Sequence, residues 1–466
     1  MNKHQIIRKF IVADIIAALI VWVAFLVYRK TINDISIVDN FWILIRNNDY
    51  FTSLIAFPVF SVFIHYLSGV YLNLHKKNGI IILLPTLISS LIISVSVFFL
   101  LKLRDVIVSY EYFYFSLLIL FGFTAGFTLL FRGIIISQIN NKYKTRKWTI
   151  NTIIIGNGEN AVKMENELIR ISKKHTILGF VTIDHKIQIP NEKILGNFNQ
   201  LGNIFSQNKI DEAIIALDNA DEQKLFSYIN ALYKYNIDIR FTPRLYEILT
   251  GSARINSLSA SPLVTITDLP MSDWETSIKR FTDFIISLVM LIILSPVFLV
   301  FMILIKSDSK GKIFYSQERI GMHGKPFNII KFRTMFHGAE NGQPRLSSST
   351  DERITKIGRF LRKYRLDELP QFWNILKGEM SLVGPRPERK FYINHIIEEA
   401  PYYCLIYKIR PGLTSWGPIK IGYTDTIDKM IERLNYDIVY IENMSLINDL
   451  KILIFTIEII FKGKGV

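Results

Sequence analysis

Two adjacent carboxylates near the C-terminal end of the chain, Asp367 and Glu368, lie in a strongly basic stretch of sequence. Arg362 and Arg365 precede the pair, and Arg386 follows it between two prolines that fix its backbone. An ionised carboxylate can attack phosphorus, and arginine binds phosphate oxygens through paired hydrogen bonds. The pattern predicts a site that handles phosphate. A helix cap with solvated ion pairs is the alternative interpretation.

A divalent metal suits the same stretch, because it would neutralise charge between the two carboxylates and a pyrophosphate. Mg²⁺ is the usual metal beside phosphate oxygens. The concentration of arginine, glycine and proline around the pair favours the site over the simple cap. The candidate phosphate-binding residues are Arg362, Arg365, Arg386, Lys331, Arg333 and Arg319.

Short elements are expected to position these residues. Residues 312–317 and 326–332 read as strands, and the second ends beside Lys331 and Arg333. A loop at 341–350, rich in Gly, Pro and Ser, is a candidate lid.

Helical spacing predicts a helix over residues 351–365. Because proline disfavours helix before it and is tolerated in a first turn, Pro370 predicts that a new helix begins near residues 367–370. Gly378 is expected to end it. The carboxylate pair would then lie at a helix N-terminus, where amide donors and the dipole stabilise anions and can hold phosphate.

The composition indicates a membrane protein. Hydrophobic residues make up 50% of the 466 residues, and the formal net charge is +15. Four apolar runs, residues 10–28, 51–71, 79–101 and 112–137, approach or exceed the ~20 residues that a spanning helix needs. The basic excess could serve nucleic acid, an anionic membrane face or phosphorylated substrates, and the membrane is favoured because the basic residues flank apolar runs. The single cysteine, Cys404, excludes an intrachain disulfide and is expected to pack in a core.

Lysine and arginine predict the orientation of the four runs. They precede the first run, include Lys76 and Lys77 between the second and third, and follow the fourth. The positive-inside tendency then places both ends of this region in the cytoplasm. Asp14 lies within the first run, either as a polar contact between helices or as a carboxylate near the headgroups.

A fifth apolar run, residues 284–305, is interrupted at its centre by Ser295 and Pro296. Proline removes a backbone donor and kinks a helix, and the serine hydroxyl can satisfy a freed carbonyl. Basic residues flank the run on both sides, so both ends are expected to be cytoplasmic. We therefore predict a re-entrant helix–break–helix. The alternative is a kinked fifth span, which would put the C-terminal domain outside.

Between the membrane runs lies a βαβ pattern that predicts a parallel sheet. Strands are expected at residues 149–155, 177–183, 211–217 and 238–243, with helices to about residue 173 and at 222–235. Gly156, Gly158 and Ala161 follow the first strand and Asp184 ends the second, which matches a dinucleotide-binding fingerprint in outline. The loop either binds a nucleotide or cofactor, or keeps its glycines for a tight turn in a ligand-free domain. We favour the second interpretation.

The longest motif is Arg365-Leu-Asp-Glu-Leu-Pro-Gln-Phe-Trp-Asn-Ile-Leu-Lys-Gly-Glu-Met-Ser-Leu-Val-Gly-Pro-Arg-Pro387. Together with Lys331-Phe-Arg-Thr-Met335, Ser295-Pro296 and Arg410-Pro-Gly-Leu-Thr-Ser-Trp416, it resembles the bacterial sugar transferases, the polyprenyl-phosphate glycosyl-1-phosphate transferases. This resemblance covers Ser277 to the end of the chain, and the four-span, Rossmann-like front resembles the larger members that start exopolysaccharide or O-antigen synthesis. Residues 414–418 read Thr-Ser-Trp-Gly-Pro, where the commoner form is Thr-Gly-Trp-Ala-Gln. This departure prevents transfer of a sugar specificity from that region.

The resemblance implies a ping-pong reaction between a UDP-hexose and undecaprenyl phosphate at the cytoplasmic face of a bacterial inner membrane. Asp367 would form a covalent phosphosugar–aspartate and release UMP, and the lipid phosphate would then take the phosphosugar. Glu368 would assist, and the pair would bind Mg²⁺. Arg362 and Arg386 would hold phosphates, with Lys331 nearby.

The fold class that follows is a membrane helical bundle plus α/β. Four transmembrane helices at 1–147 precede a Rossmann-like, degenerate nucleotide- or CoA-binding-like domain at 148–250 and a linker at 251–276. A re-entrant helix and a small α/β catalytic domain occupy 277–466. Two rival functions are a sensor or scaffold of polysaccharide assembly and a nucleotide-sugar oxidoreductase that uses the middle domain. The sugar (glucose, galactose or an N-acetylated hexose), the middle-domain ligand and the oligomeric state stay open, with a homodimer as one option.

Overall fold

The computed structural model describes residues 3–32, 48–74, 77, 79–102, 110–171, 174–183, 189–218, 222–242, 264–265, 269–339, 351–422 and 425–462. Asp184, the candidate lid at 341–350 and most of the predicted linker lie outside the described residues. The chain divides into two compact units: Met1–Thr149 with Ser272–Lys279, and Ile150–Met271 with Arg280–Val466.

The first unit contains helices α1 to α4, at Lys3–Ile32, Asn48–Leu67, Gly79–Lys102 and Tyr110–Lys144. Three segments of these, His4–Tyr28, Gly79–Leu101 and Tyr114–Lys144, are long and apolar enough to cross a membrane. Thr52–Leu67 in α2 is apolar but shorter. The predicted helical membrane segment is therefore confirmed, and three of its described helices reach spanning length on their own.

A buried ion pair lies inside this helical unit. Arg132 on α4 donates to both carboxylate oxygens of Asp14 on α1, at 2.9 and 2.7 Å. Tyr71 donates to the same carboxylate at 2.6 Å, and a further arginine nitrogen donates to Thr86 on α3. Because a charge in an apolar interior is tolerated only when paired, Asp14 joins these helices rather than facing the headgroups.

The turn that follows α2 contacts residues far along the chain within the same unit. Lys77 forms an ion pair with Asp273 at 2.8 Å, and Asn73 donates to the same carboxylate. Gly69 has a φ of +72°, and a Cβ there would overlap the Asp273 backbone. The first turn of the helix that starts at Asp273 is thus held by this turn of the helical unit.

The second unit begins with a six-stranded sheet in the order β3-β2-β1-β4-β5-β6. The first five strands are parallel and β6 pairs antiparallel to β5. The strands β1 to β6 are Ile150–Ile155, His175–Thr182, Ile194–Asn197, Glu212–Ile215, Asp238–Phe241 and Val264–Thr265, and the helices α5 to α7 are Glu159–Ile171, Leu201–Gln207 and Glu222–Tyr233. The predicted parallel sheet is confirmed. β3, α6 and β6 were not predicted.

A broken helix follows, with α8 at Asp273–Ile293 and α9 at Ser295–Asp308. The two segments are bent by 61°. The Ser295 hydroxyl donates to the Ile292 carbonyl at 2.8 Å, and Pro296 lies in the first turn of α9. The break predicted at the Ser-Pro pair is present, with the serine occupying a freed acceptor as expected.

The C-terminal domain combines two small sheets with short helices. Strands β7 and β8 form an antiparallel hairpin, and β9 and β10 pair in parallel. These strands are Phe314–Ile320, Pro326–Phe332, Ser381–Val383 and Gly412–Thr414, and the helices α10 to α15 are Lys356–Lys363, Phe372–Lys377, Lys390–Glu399, Trp416–Lys420, Ile427–Glu442 and Leu446–Phe461. Cys404 is fully buried, as predicted.

One predicted helix is shorter than expected. Helical spacing predicted residues 351–365, but α10 begins only after Thr355, whose hydroxyl caps it by accepting from the Gly358 N–H. The preceding Ile354 instead forms a strand-like bridge with Met335. Backbone pairing across the domain therefore outweighed the local spacing.

Candidate active site

The carboxylate pair lies on a 3₁₀ helix, Leu366–Gln371, that runs directly into α11. Arg365 precedes it in a left-handed conformation, with φ of +54°, which ends α10 and turns the chain sharply. Gly378, also left-handed, ends α11. The predicted start near Pro370 and end at Gly378 are confirmed, and the tight turn buries both Asp367 and Glu368.

Glu368 is held by two cations. Its Oε1 accepts from Lys331 Nζ and from Arg386 Nη2, both at 2.7 Å. Burial alone would raise the pKa of Glu368, but Arg386 and Lys331 outweigh burial and hold that pKa well below its ordinary value. Glu368 is therefore ionised at neutral pH and serves to place two positive charges side by side.

Asp367 has a different environment although it is adjacent. Among the described residues no side chain or backbone group donates a hydrogen bond to its carboxylate, which is only 8% exposed. Burial raises the pKa of Asp367, and the nearby Lys331 only partly offsets this effect. A buried carboxylate without hydrogen bonds is poorly solvated, which favours its attack on an electrophile.

The predicted phosphate-binding residues surround one cavity of about 710 Å³. This volume lies within the range of about 300–1,000 Å³ that is typical of small-molecule sites. Lysine and arginine outnumber carboxylates in its lining, so the cavity favours anions. Its lining includes all eight residues predicted for the reaction: Asp367, Glu368, Arg362, Arg365, Arg386, Lys331, Arg333 and Arg319.

These arginines have different partners within the protein. Arg362 donates to the Thr334 hydroxyl at 2.9 Å. Arg333 donates to the carbonyls of Ser309 and Lys310 at the end of α9, at 2.6 and 3.2 Å. The guanidinium of Arg333 is thus occupied in holding the end of the broken helix. Its predicted phosphate contact stays a prediction.

Three lining or adjacent residues were not predicted from the sequence. Glu388 accepts from Arg319 at 3.2 Å and from Arg433, and Asp437 accepts from the Arg386 backbone N–H at 3.4 Å. All three unpredicted residues are buried. One signal was available: Arg433 and Asp437 are four residues apart, so they share one face of α14.

Two acidic ligands fit Mg²⁺ in part. Among the described residues no three His, Cys, Asp or Glu side chains gather as a metal cluster. Mg²⁺, however, is usually held by one or two carboxylates together with substrate phosphates. The oxygens of Asp367 are uncommitted, whereas Glu368 Oε1 is taken by two cations. The pair therefore fits a Mg²⁺ that is completed by phosphate oxygens.

The other predicted sites do not line this cavity. Ser295 and Pro296 lie at the helix break. Gly156 and Gly158 follow the carboxyl end of β1, and the buried Ala161 lies in the first turn of α5.

The glycine loop closes on the chain's own residues. A Cβ at Gly156, where φ is +146°, would overlap the Ala216 carbonyl, and a Cβ at Gly158 would overlap the Asp218 carboxylate. The first turn of α5 directs the Asn160 N–H to that same carboxylate at 2.8 Å. A phosphate at this helix start would therefore meet a negative charge.

A family model described as bacterial sugar transferase matches residues 274–463, and one described as CoA-binding domain matches residues 67–243. A UDP-glucose:undecaprenyl-phosphate glucose-1-phosphate transferase of Klebsiella pneumoniae is 35% identical over 58% of this chain and 58% of its own length. The chain thus spans little more than half of that protein.

Two further relatives are similar. A UDP-N-acetylgalactosamine-undecaprenyl-phosphate N-acetylgalactosaminephosphotransferase of Aeromonas hydrophila is 34% identical over 49% of this chain and 54% of its own length. An uncharacterized sugar transferase of Haemophilus influenzae is 32% identical over 68% of this chain and 70% of its own length. The residues at the glycine loop do not fit a CoA phosphate, because Asp218 takes the helix N–H and the first turn of α5 adds Glu159.

Proposed function

Because the chain belongs to the bacterial sugar transferase family, we propose that it transfers hexose 1-phosphate from a UDP-hexose to undecaprenyl phosphate. The products are UMP and undecaprenyl diphosphate hexose, a membrane step that begins exopolysaccharide, capsule or O-antigen synthesis. One observation carries the proposal. Asp367 is a buried, uncommitted carboxylate, and it lies beside a Glu368 that holds two cations at a cavity favouring anions.

In the first half-reaction, an ionised Asp367 oxygen attacks the phosphorus attached to the sugar. The bond from that phosphorus to the bridging oxygen breaks, and the oxygen leaves on UMP. A covalent phosphosugar–aspartate remains. Lys331 and Arg386, held by Glu368, face the charge that develops on the phosphate oxygens, which is where fixed cations lower a barrier most.

In the second half-reaction, an oxygen of undecaprenyl phosphate attacks the same phosphorus. The bond to Asp367 breaks, which restores the carboxylate and gives the diphosphate-linked lipid. Both half-reactions use one phosphate position, so a single set of cations serves them in turn. UMP must leave before the lipid phosphate enters, which accords with one shared cavity.

Mg²⁺ would be held by Asp367 and Glu368 together with pyrophosphate oxygens. When bound, it would neutralise charge on the pyrophosphate and ease departure of UMP. The uncommitted oxygens of Asp367 support this assignment. Glu368 would bind the metal through the oxygen that receives only the longer, 3.5 Å contact from Arg386.

The proposal places the protein in a bacterial inner membrane, with four spans in 1–147, a re-entrant α8–α9 and the catalytic domain on the cytoplasmic face. The ion pair of Lys77 with Asp273 supports this topology, because it joins a turn expected in the cytoplasm to the start of α8. A cysteine introduced at Lys310 should be shielded from an impermeant outside reagent in intact cells. Labelling there would indicate a true fifth span.

Release of UMP tests the function. Protein purified in detergent is given Mg²⁺, undecaprenyl phosphate and, in turn, each member of a panel of UDP-hexoses that includes UDP-glucose, UDP-galactose and N-acetylated forms. At least one should yield UMP, and Asp367→Asn should abolish its release. If the wild type released none with any sugar, the sensor or scaffold interpretation would replace this one. Normal release by Asp367→Asn would exclude Asp367 as the nucleophile.

A further inference from the structure

The backbone of residues 385–388, which includes Arg386, is hydrogen-bonded to three elements. The Arg386 N–H donates to Asp437 Oδ2 on α14 at 3.4 Å. Two residues further on, the backbone carbonyl of Glu388 accepts from the Ile320 N–H on β7 at 3.0 Å. The carbonyl of Pro385 also accepts from the Gly412 N–H at 2.9 Å. The segment that carries Arg386 therefore lies clamped between β7, β10 and α14.

Side chains complete the same clamp. The Glu388 carboxylate accepts from Arg319 on β7 and from Arg433 on α14. Arg319 also donates to the Pro387 carbonyl at 3.3 Å. Glu388 is 6% and Arg433 is 5% exposed, so this network is shielded from water, where ion pairs act most strongly.

Two small residues at the start of α13 make room for this arrangement. A Cβ at Gly417 would overlap the side chain of Arg433. Ser415, just before α13, is fully buried and lies beside Asp437. The absence of a side chain at 417 thus leaves the space that the Arg433 side chain occupies.

We propose that Asp437 and Arg433 are positioning residues, which act through the Arg386 backbone and through Glu388 to hold the Arg386 guanidinium at the phosphate position. This inference rests on the proposed function, since Arg386 is the cation that it positions. The hydrogen bonds that carry the inference run from α14 to the Arg386 backbone and to Glu388, not to the reacting carboxylates. Their effect on the reaction is therefore expected to pass through Arg386.

A double-mutant cycle on activity tests this dependence. Asp437→Asn and Arg433→Lys should each lower kcat/KM for UMP release by about 10–100-fold, the range seen when residues that orient a functional group are changed. In an Arg386→Ala background, where UMP release is already low, the same substitutions should change the remaining rate less than about twofold. Losses of equal size in both backgrounds would overturn the proposal.

Stability is measured in parallel, because a merely structural role would lower thermal stability and activity together. The positioning role predicts that Asp437→Asn changes the melting temperature by the same amount in the wild-type and Arg386→Ala backgrounds, while its effect on activity disappears in the second background. Glu432→Gln is the matched control, since Glu432 is exposed and adjacent to Arg433. This control should leave both measurements unchanged.

Gly417→Ala provides a variant that alters no charge. It should displace Arg433 and reduce kcat/KM in the same direction as Arg433→Lys, and the two losses should not add when combined. Full activity of Gly417→Ala would overturn the role given to Arg433. These outcomes differ from failure of the proposed function itself, in which the wild type would release no UMP with any sugar.

Discussion

The glycine loop of the middle domain and the carboxylate pair of the C-terminal domain are both sequence patterns typical of phosphate sites. In the middle domain, the loop packs on Ala216, and the helix N–H of Asn160 is taken by Asp218. In the C-terminal domain, Glu368 gathers Lys331 and Arg386 at a cavity of about 710 Å³.

The two regions differ in the charge that is left without a partner once the hydrogen bonds and ion pairs within the protein are formed. Glycine in a tight turn is equally useful for approach to a ligand or to the chain's own backbone, so the glycine pattern does not separate the two cases. An excess of cations over carboxylates does distinguish a ligand site from a tight turn. Burying unpaired positive charge is costly unless a bound anion neutralises it. The C-terminal cavity has this excess, and the glycine loop has a carboxylate instead.

The largest expected difference is in the rate of UMP release between variants of two carboxylates, Asp367 in the C-terminal domain and Asp218 in the middle domain. Asp367→Asn should reduce the rate of UMP release by at least about 10³-fold, because the amide is not a nucleophile toward phosphorus. Asp218→Asn should keep the rate within about twofold, since the Asp218 carboxylate faces the glycine loop. The rates are measured under identical saturating concentrations of the UDP-hexose and lipid. A large loss with Asp218→Asn would place the middle domain in the reaction.

A second pair of variants compares the adjacent carboxylates by stability. Glu368→Gln should lower the free energy of unfolding by about 3 kcal/mol, because two buried cations lose their counter-charge. Asp367→Asn should be neutral or stabilising, since burial disfavours the ionised form that it removes. Denaturant titration of the full protein in detergent measures both. Equal losses would mean that Asp367 is also paired in the folded protein.

Gly156→Ala should lower the free energy of unfolding by about 1–3 kcal/mol without any ligand, because φ is +146° and the new Cβ meets the Ala216 carbonyl. Gly202→Ala on α6 is the control, since nothing lies within 4 Å of a Cβ there. If Gly156→Ala kept the wild-type stability but lost a CoA binding that the wild type shows, the glycines would be assigned to ligand binding.

The smallest expected effect is a pH dependence of stability that is caused by Asp437 in the C-terminal domain. Burial raises the pKa of Asp437 to about 6, whereas an unfolded aspartate titrates near 3.9. Between these pH values the folded protein binds a proton that the unfolded chain lacks. The free energy of unfolding therefore falls as the pH rises from about 4 through about 6, and it levels off above that. The melting temperature of Asp437→Asn relative to wild type should rise by a few degrees from about pH 5 to about pH 7.5. A difference that does not vary with pH would contradict this assignment.

Local patterns predicted much of the fold because they act over short distances. The parallel strands and the break at Ser295 follow from runs of β-branched residues and from the backbone of proline. β3, at Ile194–Asn197, was missed because it is only four residues long and none of its residues is fully buried. The helix predicted over 351–365 was too long, since the bridge between Ile354 and Met335 cannot be read from spacing.

The candidate site was predictable where its residues are close in sequence. Asp367, Glu368 and Arg386 belong to one continuous motif, so their types and spacing were enough to group them. Arg433 and Asp437 come from a helix whose pattern is that of an ordinary amphipathic surface helix. Their contact with the site depends on how α14 packs against the rest of the domain, and this packing cannot be read from sequence spacing.

The covalent intermediate on Asp367 is the central claim, and a single-turnover experiment tests it most directly. Protein with Mg²⁺ and a UDP-hexose labelled in the phosphate next to the sugar is studied without undecaprenyl phosphate. The account predicts about one UMP released per chain, label attached to Asp367 by peptide mass analysis, and its transfer to lipid when undecaprenyl phosphate is added. UMP release that requires the lipid from the start, or label on another residue, would contradict it.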